Sequence, residues 1–123
     1  MSARRRCVSS GSDFESAVGY SRAVRIGPHV ALAGTTGNGD DIADQTRDAL
    51  RRIESALAEV QATLADVVRT RIYVTDIGRW REVGDVHAEV FGVIRPVATM
   101  VEVSALIAPH LLVEIEVDAY VES

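Results

Sequence analysis

The run Val113-Glu114-Ile115-Glu116-Val117-Asp118-Ala119 alternates an apolar with an acidic residue at every step. Successive side chains of an extended chain leave opposite faces, so this run reads as a strand with one apolar and one carboxylate face. A helix would scatter the same residues around its circumference. Such a strand needs a sheet, an apolar layer over one side, and cations to face its carboxylates. The stretch Val67 to Val74 supplies the cations. Its apolar set is Val68, Thr70, Ile72 and Val74, while Arg69, Arg71 and Tyr73 take the opposite side. Two arginines and three carboxylates thus share the face turned away from the apolar layer. An exposed, charge-laced sheet face would gain only ~0–1 kcal/mol per pair. An inter-subunit face with the same residues is the other reading, and the pattern leaves both open.

The covering layer is helical. Ile42, Thr46, Ala49, Leu50, Ile53, Ala56, Leu57 and Val60 recur at three- and four-residue steps and form one apolar stripe. Asp76 is placed to cap a second helix in which Trp80, Val83, His87, Val90 and Phe91 share a face; Pro96 ends it and disfavours helix at Arg95. A weak strand at Val8 precedes the loop Ser9 to Asp13. Tyr20 to Ile26 and Val30 to Gly34 read as a hairpin about the turn Gly27-Pro28-His29. Thr35 to Asp41 reads as a loop, Thr63 as the cap of a short turn, and Thr99 to Val103 and Leu112 to Tyr120 as the closing strands. The order β-β-β-α-β-α-β-β predicts an α+β fold: a mixed sheet with two helices on one face, in a single domain over residues 1–123.

Composition removes several classes of function. With 47% hydrophobic and 25% charged residues the chain is globular in type. No apolar run approaches the ~20 residues of a membrane span. Arg4-Arg5-Arg6 is not followed by the apolar stretch of an export signal, and the lone Cys7 cannot form an internal disulfide. Together these predict a reducing, cytoplasmic setting. The net charge of −5 and the absence of lysine argue against a nucleic-acid partner, and the arginine triplet reads as a solvated arm. His29, His87 and His110 make no metal-ligand spacing, so no metal or cofactor is expected. His87 reads as a packed side chain with one satisfied nitrogen, His29 as solvated, Cys7 as an inert thiol, and Trp80 as core or interface. The loop Gly34 to Gly39 lacks the order of a phosphate cradle and reads as flexible.

Several segments, in order, resemble the RidA/YjgF family, also called L-PSP endoribonuclease-like. Val18-Gly19-Tyr20-Ser21-Arg22-Ala23-Val24 is similar to the family's G-P-Y-S-Q-A-V, and Leu32-Ala33-Gly34-Thr35 stands at its S-G-Q. Asp44-Gln45-Thr46 through Ile53 resembles Q-x-x-x-x-L-x-N-I, and Leu64-Ala65-Asp66-Val67-Val68 matches the segment before the central strand. Arg95-Pro96-Val97-Ala98-Thr99-Met100-Val101-Glu102-Val103 resembles R-P-A-R-S-x-V-E-V, and Val113-Glu114-Ile115-Glu116 stands at V-E-I-E. The resemblance implies a chorismate-mutase-like fold, a homotrimer, small-metabolite pockets between subunits, and cofactor-free hydrolysis of 2-imino acids. It implies a ligand site of Tyr20, Arg22, Gly34, Thr35, Ala98 and Met100, with Glu114 shuttling a proton to or from water. Ala98 stands where the family's substrate-clamping arginine falls. Met100, Ala33 and Gly84 stand for its cysteine, serine and helix asparagine. Weak 2-imino acid deamination follows, and a metabolite-binding trimer is the expected function. An enamine or imine deaminase or related hydrolase with a different small substrate is the alternative, and a purely structural trimer is a third class. Arg22 is aimed either at a ligand, in place of the missing clamp, or at a carboxylate such as Glu116.

Overall fold

A computed structural model describes residues 4–122. Six strands form one mixed sheet: β1 (Arg5–Val8), β2 (Ala23–Ile26), β3 (His29–Thr35), β4 (Val67–Val74), β5 (Val97–Glu102) and β6 (Val113–Tyr120). Their spatial order is β1-β2-β3-β6-β4-β5. All neighbours are antiparallel except β4 and β5, whose parallel pairing requires the crossover through a helix. The expected α+β arrangement is present, with one addition. A six-residue helix, α1 (Asp13–Val18), stands between β1 and β2. Ser12 caps its start by accepting from the Phe14 N–H, and Gly19 ends it at φ 89°. Six residues are too few to show an apolar stripe, which is why the sequence pattern passes over it.

The long helix α2 (Ile42–Glu59) begins where Asp41 accepts from the Asp44 N–H. It lays Ile42, Ala49, Leu50, Ile53, Ala56 and Leu57 onto the sheet beside α3 (Trp80–Phe91). Its last carbonyls are met by side chains: Arg25 Nη1 donates to the Val60 carbonyl at 2.6 Å, and Arg6 Nη2 at 3.4 Å. Arg5 and Arg6 therefore belong to an edge strand, not to a solvated arm. Met1 to Ala3, the rest of that segment, lie outside the described residues. Strand β2 begins at Ala23 instead of Tyr20, and β3 runs on to include Thr35. Beyond α3, Arg95 adopts φ 58°, so the residue before Pro96 has left the helical region as expected.

The strand β4 departs from strict alternation. Its pairing with β6 shifts between Val67 and Arg69, so Val67 lies opposite Ala119 and Arg69 opposite Asp118. One extra residue, Val68, is accommodated in a bulge. Val67 is consequently buried and Val68 is 50% exposed, the reverse of the periodic reading. Trp80 also lies outside the core; it is half-exposed, with the Arg81 guanidinium 4.6 Å above its ring. Glycines 37 and 39 are not a flexible loop's ornament. A Cβ on Gly37 would come within 2.2 Å of the Gln45 carbonyl, so this loop is pressed onto the backbone of α2. Replacing Val67 by alanine should cost about 1–3 kcal/mol in urea unfolding, since it removes buried methyl groups. A change within about 0.5 kcal/mol, the surface value, would place Val67 outside the core.

Candidate functional site

Strand β3 carries the feature that builds the site. Leu32 pairs with Val117 but Thr35 pairs with Ile115, so three steps on β3 match two on β6. The bulge falls at Ala33–Gly34. It keeps Leu32 and Thr35 buried on the core side and brings Gly34 against the carboxylate side of β6. A Cβ on residue 34 would lie 2.6 Å from Glu114 Oε2, so the carboxylate occupies space that only glycine leaves open. The Gly34 carbonyl accepts from Arg22 Nη1 at 2.8 Å, and the same nitrogen donates to Thr35 Oγ1 at 3.1 Å. Thr35 Oγ1 in turn donates to the Ala33 carbonyl at 2.9 Å.

Arg22 is held on its other edge by a residue that sequence reasoning missed. Its Nε lies 3.6 Å from Glu15 Oε2, and Glu15 is only 4% exposed. The Ser10 hydroxyl donates to Glu15, as does the Ser10 N–H, and the hydroxyl bond is the main reason this carboxyl sits below its usual range. Burial acts the other way and the Arg22 charge adds a smaller lowering. The expected partner Glu116 is taken instead by the Tyr73 hydroxyl and by Arg71, 3.9 Å away. Tyr20 and Arg22 do not share a strand; both lie in the connection from α1 to β2. They nonetheless meet, with the guanidinium 5.8 Å from the Tyr20 ring centroid. The signal for Glu15 was weak, because a six-residue helix shows no periodic stripe.

These groups open into a cleft of about 790 Å³, lined by Tyr20, Arg22, Gly34, Thr35 and Glu114 together with the α2 residues Arg52 and Glu59. Glu114 is half-buried, and its carboxyl titrates above the ordinary range. Burial is the larger cause and the neighbouring Glu116 charge the next, with Arg22 opposing both. A carboxyl shifted in this sense holds a proton more readily than an ordinary glutamate does. Among the described residues no group of three or more His, Cys, Asp or Glu is gathered as a metal site, and no helix is long and apolar enough to cross a membrane.

Comparison with known proteins gives this geometry its relatives. The family model described as Endoribonuclease L-PSP matches residues 10–121. The chain belongs to that family. It is 80% identical to a crystal structure of a YjgF/YER057c/UK114 family member from Mycobacterium tuberculosis, with a TM-score of 0.95 over 96% of this chain and all of that one. A YjgF family structure from Neisseria meningitidis matches at 30% identity and TM-score 0.85, over 98% of this chain and 97% of that one. Among curated sequences, a RutC family protein of Pyrococcus abyssi is 34% identical over 84% of this chain and 87% of its own length.

In this L-PSP family chain the expected site residues are divided between two places. Ala98 pairs with Thr70 and Met100 with Ile72, and both partners are buried under the helices. Ala98 and Met100 therefore leave β5 on the helix side, at the outer edge of the sheet. Glu114 pairs with Tyr73 and leaves on the open side. Neither Ala98 nor Met100 lines the cleft of its own chain. Beside Ala98, the Thr70 hydroxyl lies 2.9 Å from His87 Nε2, so His87 has one satisfied nitrogen as expected. Burial lowers its basicity. For Glu114 the sign of the shift predicts a stability effect. Its folded-state affinity for a proton exceeds the unfolded one, so ionisation above the carboxylate range costs stability and the cost vanishes below it. Glu114→Gln should therefore raise the thermal midpoint at pH 7, with the gain fading towards about pH 4. A midpoint difference independent of pH would contradict the assignment.

Proposed function

We propose that this L-PSP family chain works in the cytoplasm as a homotrimer that binds a small metabolite at each subunit seam. One chain supplies Tyr20, Arg22, Gly34, Thr35 and Glu114, and the β5 edge of its neighbour supplies Ala98 and Met100. The observation that supports this reading is the separation of the residues that the family resemblance groups in one site: Ala98 and Met100 stand on the β5 edge and do not line the cleft of their own chain, so a second copy would bring the two sets together. The open sheet face supports assembly as well. Arg71 lies 3.2 Å from Asp118 and Arg69 3.7 Å from the same carboxylate, so its charges are paired within the chain. Around that lattice Ile26, Val68, Val97 and Val101 are each between 41% and 58% exposed, an apolar border suited to burial against another copy. Sedimentation equilibrium at micromolar concentration should give three times the 13.3 kDa chain mass. A monomer there would remove both the oligomer and the seam site.

The chemistry open to such a seam is hydrolysis of a carbon–nitrogen double bond without a cofactor. Glu114 takes a proton as water adds to the carbon, then returns it to the departing nitrogen. For a 2-imino acid the site lacks its clamp, because Ala98 offers no charge-assisted hydrogen bond to the carboxylate. Each such bond contributes ~1.5–3 kcal/mol, so turnover of that class should fall by roughly a hundredfold or more against an arginine-bearing relative. With 2-iminobutyrate generated in situ, keto acid release should stay near background. Acceleration equal to the relative's would show that another group holds the carboxylate.

A further inference from the structure

The charges lining the cleft narrow what it can take. Arg22 and Arg52 are its two guanidinium groups, and each is already committed. Arg22 is only 16% exposed, faces Glu15 at 3.6 Å and donates to the Gly34 carbonyl at 2.8 Å. Arg52 Nε lies 3.0 Å from Asp48, and its Nη1 donates to the Thr36 carbonyl at 3.2 Å. Both partner carboxyls are held below the usual carboxylate range, Glu15 chiefly by the Ser10 hydroxyl and Asp48 chiefly by the Asn38 N–H. They stay ionised at neutral pH; Glu15 offsets Arg22, while Asp48 is shared between Arg52 and the neighbouring Arg51. Two more carboxylates, Glu59 and Glu114, line the cleft without an ion-pair partner among the described residues. With the two partner carboxylates counted, Glu15, Asp48, Glu59 and Glu114 stand against Arg22, Arg51 and Arg52, one negative charge in excess, and in a cleft with low-dielectric walls the resulting potential is negative. Phe14 and Ile107, both more than half exposed, give the rim an apolar surface.

We propose that the cleft takes a carboxylate-free nitrogen compound, neutral or cationic at physiological pH: a small imine, enamine or amide with an apolar body. The inference rests on the seam reading above and names the substrate class of that same site. An anionic imino acid would meet Glu59 and Glu114 with no free guanidinium to receive it. A neutral or protonated nitrogen would instead find acceptors. Glu114 would be one of them, and its carboxyl would be able to exchange a proton with that nitrogen.

The test uses a matched pair of planar probes, pyrrole-2-carboxamide and pyrrole-2-carboxylate, which share shape and size and differ in charge. Binding is followed by two-dimensional ¹⁵N–¹H spectra at the Gly34 and Thr35 amides of the assembled protein. The carboxamide should shift these amides at millimolar concentration and bind at least about tenfold more tightly than the carboxylate. Tighter binding of the carboxylate, or no shift with either probe, overturns the proposal. Ala98→Arg separates this from the seam reading, because Ala98 is exposed and the variant restores a cation at the neighbour's edge. It should raise the carboxylate's affinity to that of the carboxamide or beyond. If Ala98→Arg changes neither probe, the seam reading fails, while the wild-type pair still decides the charge preference.

Discussion

Strand β6 lies between β3 and β4, antiparallel to both, and its apolar–acidic alternation dictates which side each neighbour must present. Val113, Ile115, Val117 and Ala119 are buried beneath the helices, so Glu114, Glu116 and Asp118 are forced to the open side. A slip of one residue would exchange the two sets and bury three carboxylates. Both flanking strands obey this register, but each does so with one residue to spare. On β4 the spare residue is Val68, which the bulge turns outward. On β3 it falls at Ala33–Gly34, and there the irregularity creates the site. The displaced Gly34 backbone faces the Glu114 carboxylate on one side and offers its carbonyl to Arg22 on the other.

Much of this was legible in the sequence, because it depends on period. The alternation of β6 and the stripe of α2 fixed the layers, and the ordered motifs from Val18 to Glu116 pointed to the family that the comparisons show. What escaped depends on departures from period. Val68 was assigned to the core because alternation cannot reveal where a bulge will fall. The helix α1 was missed because six residues show no stripe, and Glu15 was missed with it. Gln45 is a related case. It lies on the apolar face of α2, yet its side chain is buried as a polar tie, donating to the His110 carbonyl at 3.0 Å and accepting from the Leu112 N–H at 2.8 Å. These bonds hold the loop that closes the cleft, and no pattern of hydrophobicity reports them.

The site residues were legible as a set but not as a geometry. Tyr20, Arg22, Gly34, Thr35 and Glu114 come together in one chain, while Ala98 and Met100 stand on the β5 edge and do not line that cleft. Of the carboxylates near Arg22, the expected partner Glu116 is not the one it meets. Arg22 braces the bulge from beneath, with Glu15 as its counter-ion, and so fixes the Gly34 carbonyl that the cleft is built around.

The central claim is that the β5 edge of one chain completes the cleft of the next. It can be measured with mixed assemblies. Subunits carrying a nitroxide at Val93→Cys, in a Cys7→Ser background, would be combined with ¹⁵N-labelled subunits that carry no label. Val93 is fully exposed in the turn before β5, so the spin label should not disturb packing. Paramagnetic broadening would then be read on the labelled chains alone. The Gly34 and Thr35 amides should broaden, while those of Gly27 and His29, at the other end of β3, should not. Unaltered Gly34 and Thr35 signals in a mixture that has assembled would contradict it.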